Sequence, residues 1–496
     1  MDDTIRKAYN SLVERLEESG RLHTVSGLIH WDQEVIMPKG GADSRAKQIS
    51  ALAGVIHEKD THEQIGEALN ILSHGDTSRF TLFEKANIRE AQWEYNRAVR
   101  VPGDLVRELA ELKSRGHHVW IKAREENRFS DFAPTLKKLI QMTIEKARYI
   151  DPDKPPYDVN IEDYERGTSM SQLDPLFSSL KSELIPLIHS ITGSDYQPDD
   201  SFLEGKFPVD KQEELGKRVS RDMGFSFDHG RMDVSVHPFC GGGDSTDVRI
   251  TTRYRENNFV ESLYAVIHET GHGIYEQGRM AEGRDLPASE SLTMGIHESQ
   301  SLFWERMIAQ SKSFCSCYLA TFSSIFPENL KGLSAQKFYE GINRCQPSFI
   351  RVEADEVTYP LHVILRYEIE KGLFDGSVSV DQLPGLWNDK MEEYLGIRPP
   401  TDREGVLQDV HWSGGAFGYF PSYTLGAMYA AQFFQAMLKD IPDVDARIEK
   451  GQFKSIKEWL NTNIHIKGSL YSAEELVKQV TGSPLSQAHF ISHLKS

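Results

Sequence analysis

The chain has 496 residues, 39% of them hydrophobic and 26% charged, and its 56 Lys and Arg against 74 Asp and Glu give a net charge of −18. These proportions exclude a disordered chain, and the acidic balance argues against nucleic acid or an anionic membrane as the main partner, because phosphates are repelled. At ~150 residues per domain the length allows about three domains, or one large helical one.

The N-terminus, MDDTIRKAYN, is polar and lacks the apolar run of a secretory signal. Helical periodicity begins there, with Ile5, Tyr9, Leu12 and Leu16, and returns with Leu105, Leu109 and Leu112. Similar stretches predict helices over 82–99, 170–191, 300–322 and 453–461. The breaks between them are short and rich in turn residues: DPDKPP at 151–156, YQPDD at 196–200, FDGS at 374–377 and GIRPPTD at 396–402. No internal repeat and no long flexible linker divides the chain. The expectation is a mainly α fold, a single domain over 1–496.

One region reads as strand. In 233–239, Val234 and Val236 alternate with polar residues until Pro238, and in 247–254 Val248, Ile250 and Thr252 share one face. A hairpin is expected, with Gly241, Gly242 and Gly243 in its turn. No Gly-Lys-Ser/Thr follows those glycines, which argues against a phosphate loop.

The next segment carries the chemistry. His268-Glu269-Thr270-Gly271-His272 has an H-E-x-x-H spacing inside an apolar helical stripe of Phe259, Leu263, Val266, Ile267 and Ile274. One turn apart on one helix face, two imidazoles can reach the same Zn2+ at ~2.0–2.1 Å. Glu269, beside the ion, can take a proton from the attacking water. Gly271 and Gly273 each cost about 1 kcal/mol relative to Ala, a cost more easily understood if another segment approaches the backbone there. A catalytic zinc wants a third protein ligand, and Glu298 in His297-Glu298-Ser299-Gln300 follows His272 by 26 positions, room for a second helix to return. His297 is expected to sit behind the ligands.

Two later clusters stay ambiguous on pattern alone. Arg351 and Asp355 in IRVEAD stand at i and i+4, which suits a helix-surface ion pair, or an arginine held so that its fork grips a carboxylate. Gly405–Trp412 (GVLQDVHW) and the SGGAFGYFPSY that follows bring His411, Tyr419 and Tyr423 into a Gly-rich segment. That segment suits ordinary loop packing, or donors for a developing oxyanion.

The longest apolar stretch, 425–438, is 14 residues with two glutamines, short of the roughly 18 apolar residues a membrane helix needs. Cys240, Cys315, Cys317 and Cys345 are too few for a disulfide framework and form no metal ribbon. A soluble, cytoplasmic protein with reduced thiols is expected.

Taken in order, HPF at 237–239, Asp247-x-Arg249-x-Thr251, HETGH, HESQ, IRVEAD and GVLQDVHW resemble the signature set of the carboxypeptidase Taq family of zinc metallocarboxypeptidases. His30-Trp31-Asp32 and Met37-Pro38 extend the resemblance over nearly the whole chain. It implies a helical fold with a deep substrate groove, a small sheet beside the zinc, and a homodimer. It also implies His268, His272 and Glu298 as ligands of one Zn2+ (Co2+ a possible substitute) and Glu269 as general base. Arg351 would then bind the C-terminal carboxylate of a peptide substrate. His237, His411 and Tyr423 would line the cleavage site, with Tyr419 the competing tyrosine, and the Asp247-Arg249-Thr251 face would shape the groove end.

Three rivals share features with this reading. A zinc endopeptidase or dipeptide-releasing carboxypeptidase would keep the zinc but not need Arg351. An aminopeptidase would need an acidic anchor that Gly426-Ala427-Met428-Tyr429-Ala430 lacks. A helical scaffold would hold no stoichiometric metal.

Overall fold

The computed structural model describes residues 3–496, and 68% of the chain is helical. The predicted helices are found at Leu82–Ala98, Met170–Thr192 and Lys454–Asn463, and the N-terminal periodicity belongs to a long helix, Asp3–Val35. Local chemistry sets their ends. Thr81 and Glu84 exchange side-chain-to-backbone bonds at the start of Leu82–Ala98, satisfying N–H groups the helix leaves unpaired. The helices Tyr359–Asp375 and Leu383–Leu395 stop at Gly376 and Gly396, within the turn segments read from sequence. The stretch 300–322 is not one helix. Met294–Leu302 runs into a π-helical turn, Phe303–Ala309, and a new helix, Lys312–Ile325, starts where the Ser311 hydroxyl accepts from Phe314 N.

Apolar faces meet in two cores. The larger extends from Val101 to Ile491 and includes Phe259, Ile267, Ile296, Phe303, Trp387 and Phe420. A smaller one, with Ile5, Leu12, Leu16, Leu69, Leu72 and Leu286, lies beneath the N-terminal helices. Among the described residues no helix is long and apolar enough to cross a membrane, and all four cysteines are free.

The expected hairpin is replaced by a three-stranded sheet of order β1-β3-β2, formed by β1 (Gly230–Val234), β2 (Cys240–Gly242) and β3 (Val248–Thr252). β1 pairs with β3 in parallel, and β2, the supposed glycine turn, pairs with it antiparallel. The alternation of Val234 and Val236 misled, since both are exposed, at 56% and 72%. Past β1, Thr251 of β3 ties down residues 235–239. Its hydroxyl accepts from Ser235 Oγ (2.6 Å) and Phe239 N (2.9 Å), and its backbone N–H donates to Phe239 O (2.9 Å). The sheet is pinned to the N-terminal helix by Trp31, 2% exposed, whose ring lies 4.4 Å from the Arg249 guanidinium and 5.1 Å from that of Arg231.

Candidate metal centre and substrate site

The HETGH helix, Phe259–Gly278, starts at Asn258, whose side chain accepts from Val260 N and Glu261 N. Its apolar stripe is buried, which turns His268 and His272 toward the helix Met294–Leu302. Glu298 on that helix meets them, with Oε2 3.7 Å from His268 Nε2 and 3.3 Å from His272 Nε2. The three residues offer ligand atoms all within 4.8 Å of one another. Four ligands at ~2.0–2.1 Å around a tetrahedral ion stand about 3.3 Å apart, so this donor set fits a metal such as zinc.

The far side of each imidazole is held. His268 Nδ1 bonds Glu305 Oε2 at 2.6 Å, His272 Nδ1 bonds His297 Nδ1 at 2.6 Å, and His297 Nε2 bonds Glu276 Oε1 at 2.8 Å. Such partners fix the tautomer and leave both Nε2 atoms facing Glu298. His297 thus stands behind His272. Glu305 and Glu276 were missed, though each had a signal: Glu305 follows Glu298 by two turns, and Glu276 follows His272 by one.

Charge is concentrated here. Burial opposes the charge on His268, but Glu298 and Glu305 raise its pKa to about 10. Burial and the neighbouring histidines lower His272 to about 4, against the pull of Glu298. Burial works against the Glu298 carboxylate too, yet the His268 and His272 rings hold it down to about 2. Glu269, 6% exposed, is pushed up to about 7, first by burial and then by Glu298 and Glu305, with His268 opposing.

Arg351 is buried, at 5% exposure, but Asp355 does not hold it. Residues 351–353 form a single 3-10 turn, so the helical i,i+4 pair never forms, and Asp355 instead accepts from Val357 N and Thr358 N to start the next helix. Asp409 of GVLQDVHW is the partner, at 2.9 Å from both Nε and Nη2, while Nη1 donates to Tyr359 Oη at 2.6 Å. Asp409 and Tyr359 also escaped the sequence reading. His411 Nε2 lies 3.0 Å from Tyr423 Oη, and burial, with Arg351 next, lowers the His411 pKa to about 3.

One helix, Pro421–Asp440, joins the two clusters. The Arg351 guanidinium lies 4.8 Å from the Tyr423 ring, and one turn later Gly426 packs so closely on Glu298 that a Cβ there would stand 2.6 Å from its Cγ. Tyr423 and Gly426, three positions apart on that helix, thus touch Arg351 and Glu298 respectively. Tyr419 packs edge-on against Tyr423 at 5.2 Å. His237 keeps much of its surface open to solvent, yet enough protein crowds its ring that partial desolvation, and then Arg253, Arg124 and Arg351, lower its pKa; it in turn depresses His411. Asp247, just before β3, pairs bidentately at 2.8 Å with Arg249 on β3, whose guanidinium lies over Trp31.

The chain is similar to known proteins over nearly its whole length. Residues 11–496 match the profile of the carboxypeptidase Taq (M32) metallopeptidase family. The chain is 41% identical to carboxypeptidase 1 of Bacillus subtilis (strain 168) and 38% identical to thermostable carboxypeptidase 1 of Thermus thermophilus, each over 99% of this chain and 98% of the relative. It superposes on the BsuCP crystal structure with a TM-score of 0.94 at 40% identity, over 98% of both chains. On Trypanosoma cruzi metallocarboxypeptidase 1 the TM-score is 0.92 at 36% identity, over 99% of both. PZ peptidase A, at a TM-score of 0.65 and 11% identity over 100% of this chain and 96% of that one, shares the fold alone. The chain belongs to the carboxypeptidase Taq (M32) family of metallopeptidases.

Proposed function

We propose that the protein is a zinc-dependent carboxypeptidase that releases single residues from the C-termini of peptides. The observation that carries this reading is a buried guanidinium, Arg351, packed on Tyr423 of the same helix whose Gly426 packs on Glu298 of the His268–His272–Glu298 cluster. The Arg351 hydrogen bonds to Asp409 and Tyr359 use Nε–H and one Nη1 N–H, and Nη2 pairs with the same Asp409 oxygen at 2.9 Å, so N–H groups on both terminal nitrogens remain for an end-on carboxylate. His268, His272 and Glu298 would hold the zinc, which when bound supplies the charge that polarises the scissile carbonyl and acidifies water. Glu269 accepts the proton of the attacking water and passes it to the leaving amine. Tyr423, paired with His411, donates to the developing oxyanion. His237 and Tyr419 line the cleavage site, and Asp247 and Arg249 shape the far end of a groove.

The test is mass spectrometry of products from peptides with free and amidated C-termini. Losing a charged hydrogen-bond pair costs about 1.5–3 kcal/mol, so amidation should slow release ~10–150-fold. Arg351→Ala should lose most activity while retaining zinc, and Arg351→Lys should recover only part of it, since an ammonium lacks the fork. Internal cuts and indifference to amidation would make the protein an endopeptidase, and two-residue steps a dipeptide-releasing enzyme. Metal analysis decides between zinc and cobalt. Homodimer assembly and a cytoplasmic location belong to the same proposal, and sedimentation and cell fractionation test them.

A further inference from the structure

Glu370 lies in the helix Tyr359–Asp375 with 0% exposure, and among the described residues no lysine, arginine or histidine forms an ion pair with it. An ionised carboxylate so placed is expensive unless hydrogen bonds replace its water. Three do. Oε1 accepts from Trp412 Nε1 at 2.7 Å, and Oε2 from Gly418 N at 2.9 Å and Tyr157 Oη at 2.7 Å. Burial still pushes its pKa up to about 7, against those donors.

Two of the three donors belong to one short segment. Trp412 directly follows His411, and Gly418 directly precedes Tyr419. At Gly418 the backbone has φ +86, and a Cβ would stand 2.7 Å from Ile161 N, so the segment lies against the helix Pro156–Ile161 with no room for a side chain. Tyr157 of that same helix donates to the same carboxylate. Tyr423 gives the His411 ring its one side-chain hydrogen bond, since Nδ1 has no hydrogen-bond partner and Asp409 stands 3.9 Å away. The ring otherwise packs on Phe420 at 4.5 Å and Tyr419 at 5.4 Å, at the end of its own segment. The place of the His411 ring therefore depends on where the backbone of 411–418 is fastened.

We infer that Glu370 is the positioning residue of the His411–Tyr419 segment: it fastens both ends of the segment, so that His411 and Tyr423 meet the substrate beside Arg351. This inference rests on the carboxypeptidase reading. It requires that Glu370 act through His411, which a residue that merely glues two helices does not do.

The experiment is a double-mutant cycle on zinc-loaded full-length protein, with kcat/KM measured on a free-acid peptide. Glu370→Gln keeps the volume but turns an amide N–H2 toward at least one donor. We expect a ~10–100-fold loss in kcat/KM with normal zinc content and far-UV circular dichroism, and a loss of less than ~3-fold when His411 is already Ala. Trp412→Phe removes one donor without adding an amide, and it should show the same non-additivity with His411→Ala if Glu370→Gln folds poorly. An equal loss in both backgrounds, or wild-type kinetics in Glu370→Gln, would overturn the inference. Failure of the wild type to release C-terminal residues at all would instead overturn the carboxypeptidase reading.

Discussion

Oδ1 of Asp409 lies 2.9 Å from Nε of Arg351, and the other oxygen of the same carboxylate lies 2.6 Å from Nε of Arg366. One buried anion thus holds two buried cations, and Gln408 Oε1 closes the group by accepting from Arg351 N and Arg366 Nη2, both at 2.8 Å. Burial works against the Asp409 charge, but the two guanidiniums hold its pKa well below the usual carboxylate range.

Asp409→Asn should therefore be costly in two separable ways. Leaving two buried cations with a neutral amide costs about 3–5 kcal/mol of stability, measured by denaturant unfolding. With the fork of Arg351 no longer fixed, kcat/KM on free-acid peptides should fall at least ~10-fold, while amidated peptides, already poor, should change little. An equal loss on both substrates would mean that Asp409 supports only the fold.

Glu269→Gln should bind metal like the wild type and lose ~10²–10⁴-fold in turnover, because a base that accepts the proton of the attacking water is gone while the ligands remain. Titrated metal content and single-turnover kinetics on the same preparation check both halves. Wild-type-like turnover in metal-loaded Glu269→Gln would remove Glu269 from the reaction.

The partners behind the histidines predict a graded loss of metal. Glu305→Gln and His297→Ala each leave the three ligand atoms in place but free one imidazole to turn, and each should weaken metal binding ~10–100-fold. His272→Ala removes a ligand outright and should weaken it further. Competition against a chromogenic chelator ranks the three variants.

A fourth prediction concerns pH. Glu165 is 1% exposed, bonds Gly295 N at the start of the helix that carries Glu298, and is raised by burial from 4.5 to about 7. The folded protein therefore keeps a proton that the unfolded chain releases, and this contribution to stability is lost as pH rises from about 4.5 to about 7. Glu165→Gln does not titrate, so its stability relative to wild type should climb across that window, by roughly 3 kcal/mol at full extent. Denaturant unfolding at pH 5 and pH 8 measures the difference, and a pH-independent difference would refute the assignment.

The His268–His272–Glu298 cluster was legible because it is local. His268 and His272 share one helix face, and Glu298 lies within reach of a return helix, so periodicity alone brought them together. Arg351 and Asp409 were not legible as a pair, since 58 residues separate them and the nearer acid, Asp355, offered a plausible helical partner. Only the tertiary fold shows that residues 351–353 form one short turn. The sheet misled for a related reason. Val234 and Val236 alternate as a buried strand would, but both are exposed, Val234 within the edge strand β1 and Val236 in the segment after it that Thr251 ties down. Glu370 gave no sign at all, because a carboxylate within a helical stretch reads as a solvated face until three distant donors converge on it.

Gly271 has a consequence for which ions and which ligands the site can accept. A Cβ there would stand 2.7 Å from Gln300 O and from Ser301 Cα, so the helix bearing the two histidines already rests backbone against backbone on the helix bearing Glu298. The spacing between the two helix backbones is set by that contact, and neither helix can move inward to follow a shorter side chain. Glu298→Asp, shorter by one bond of ~1.5 Å, should open a gap that no adjustment closes. The pair of helices works as a fixed gauge with no slack, cut to one length of carboxylate.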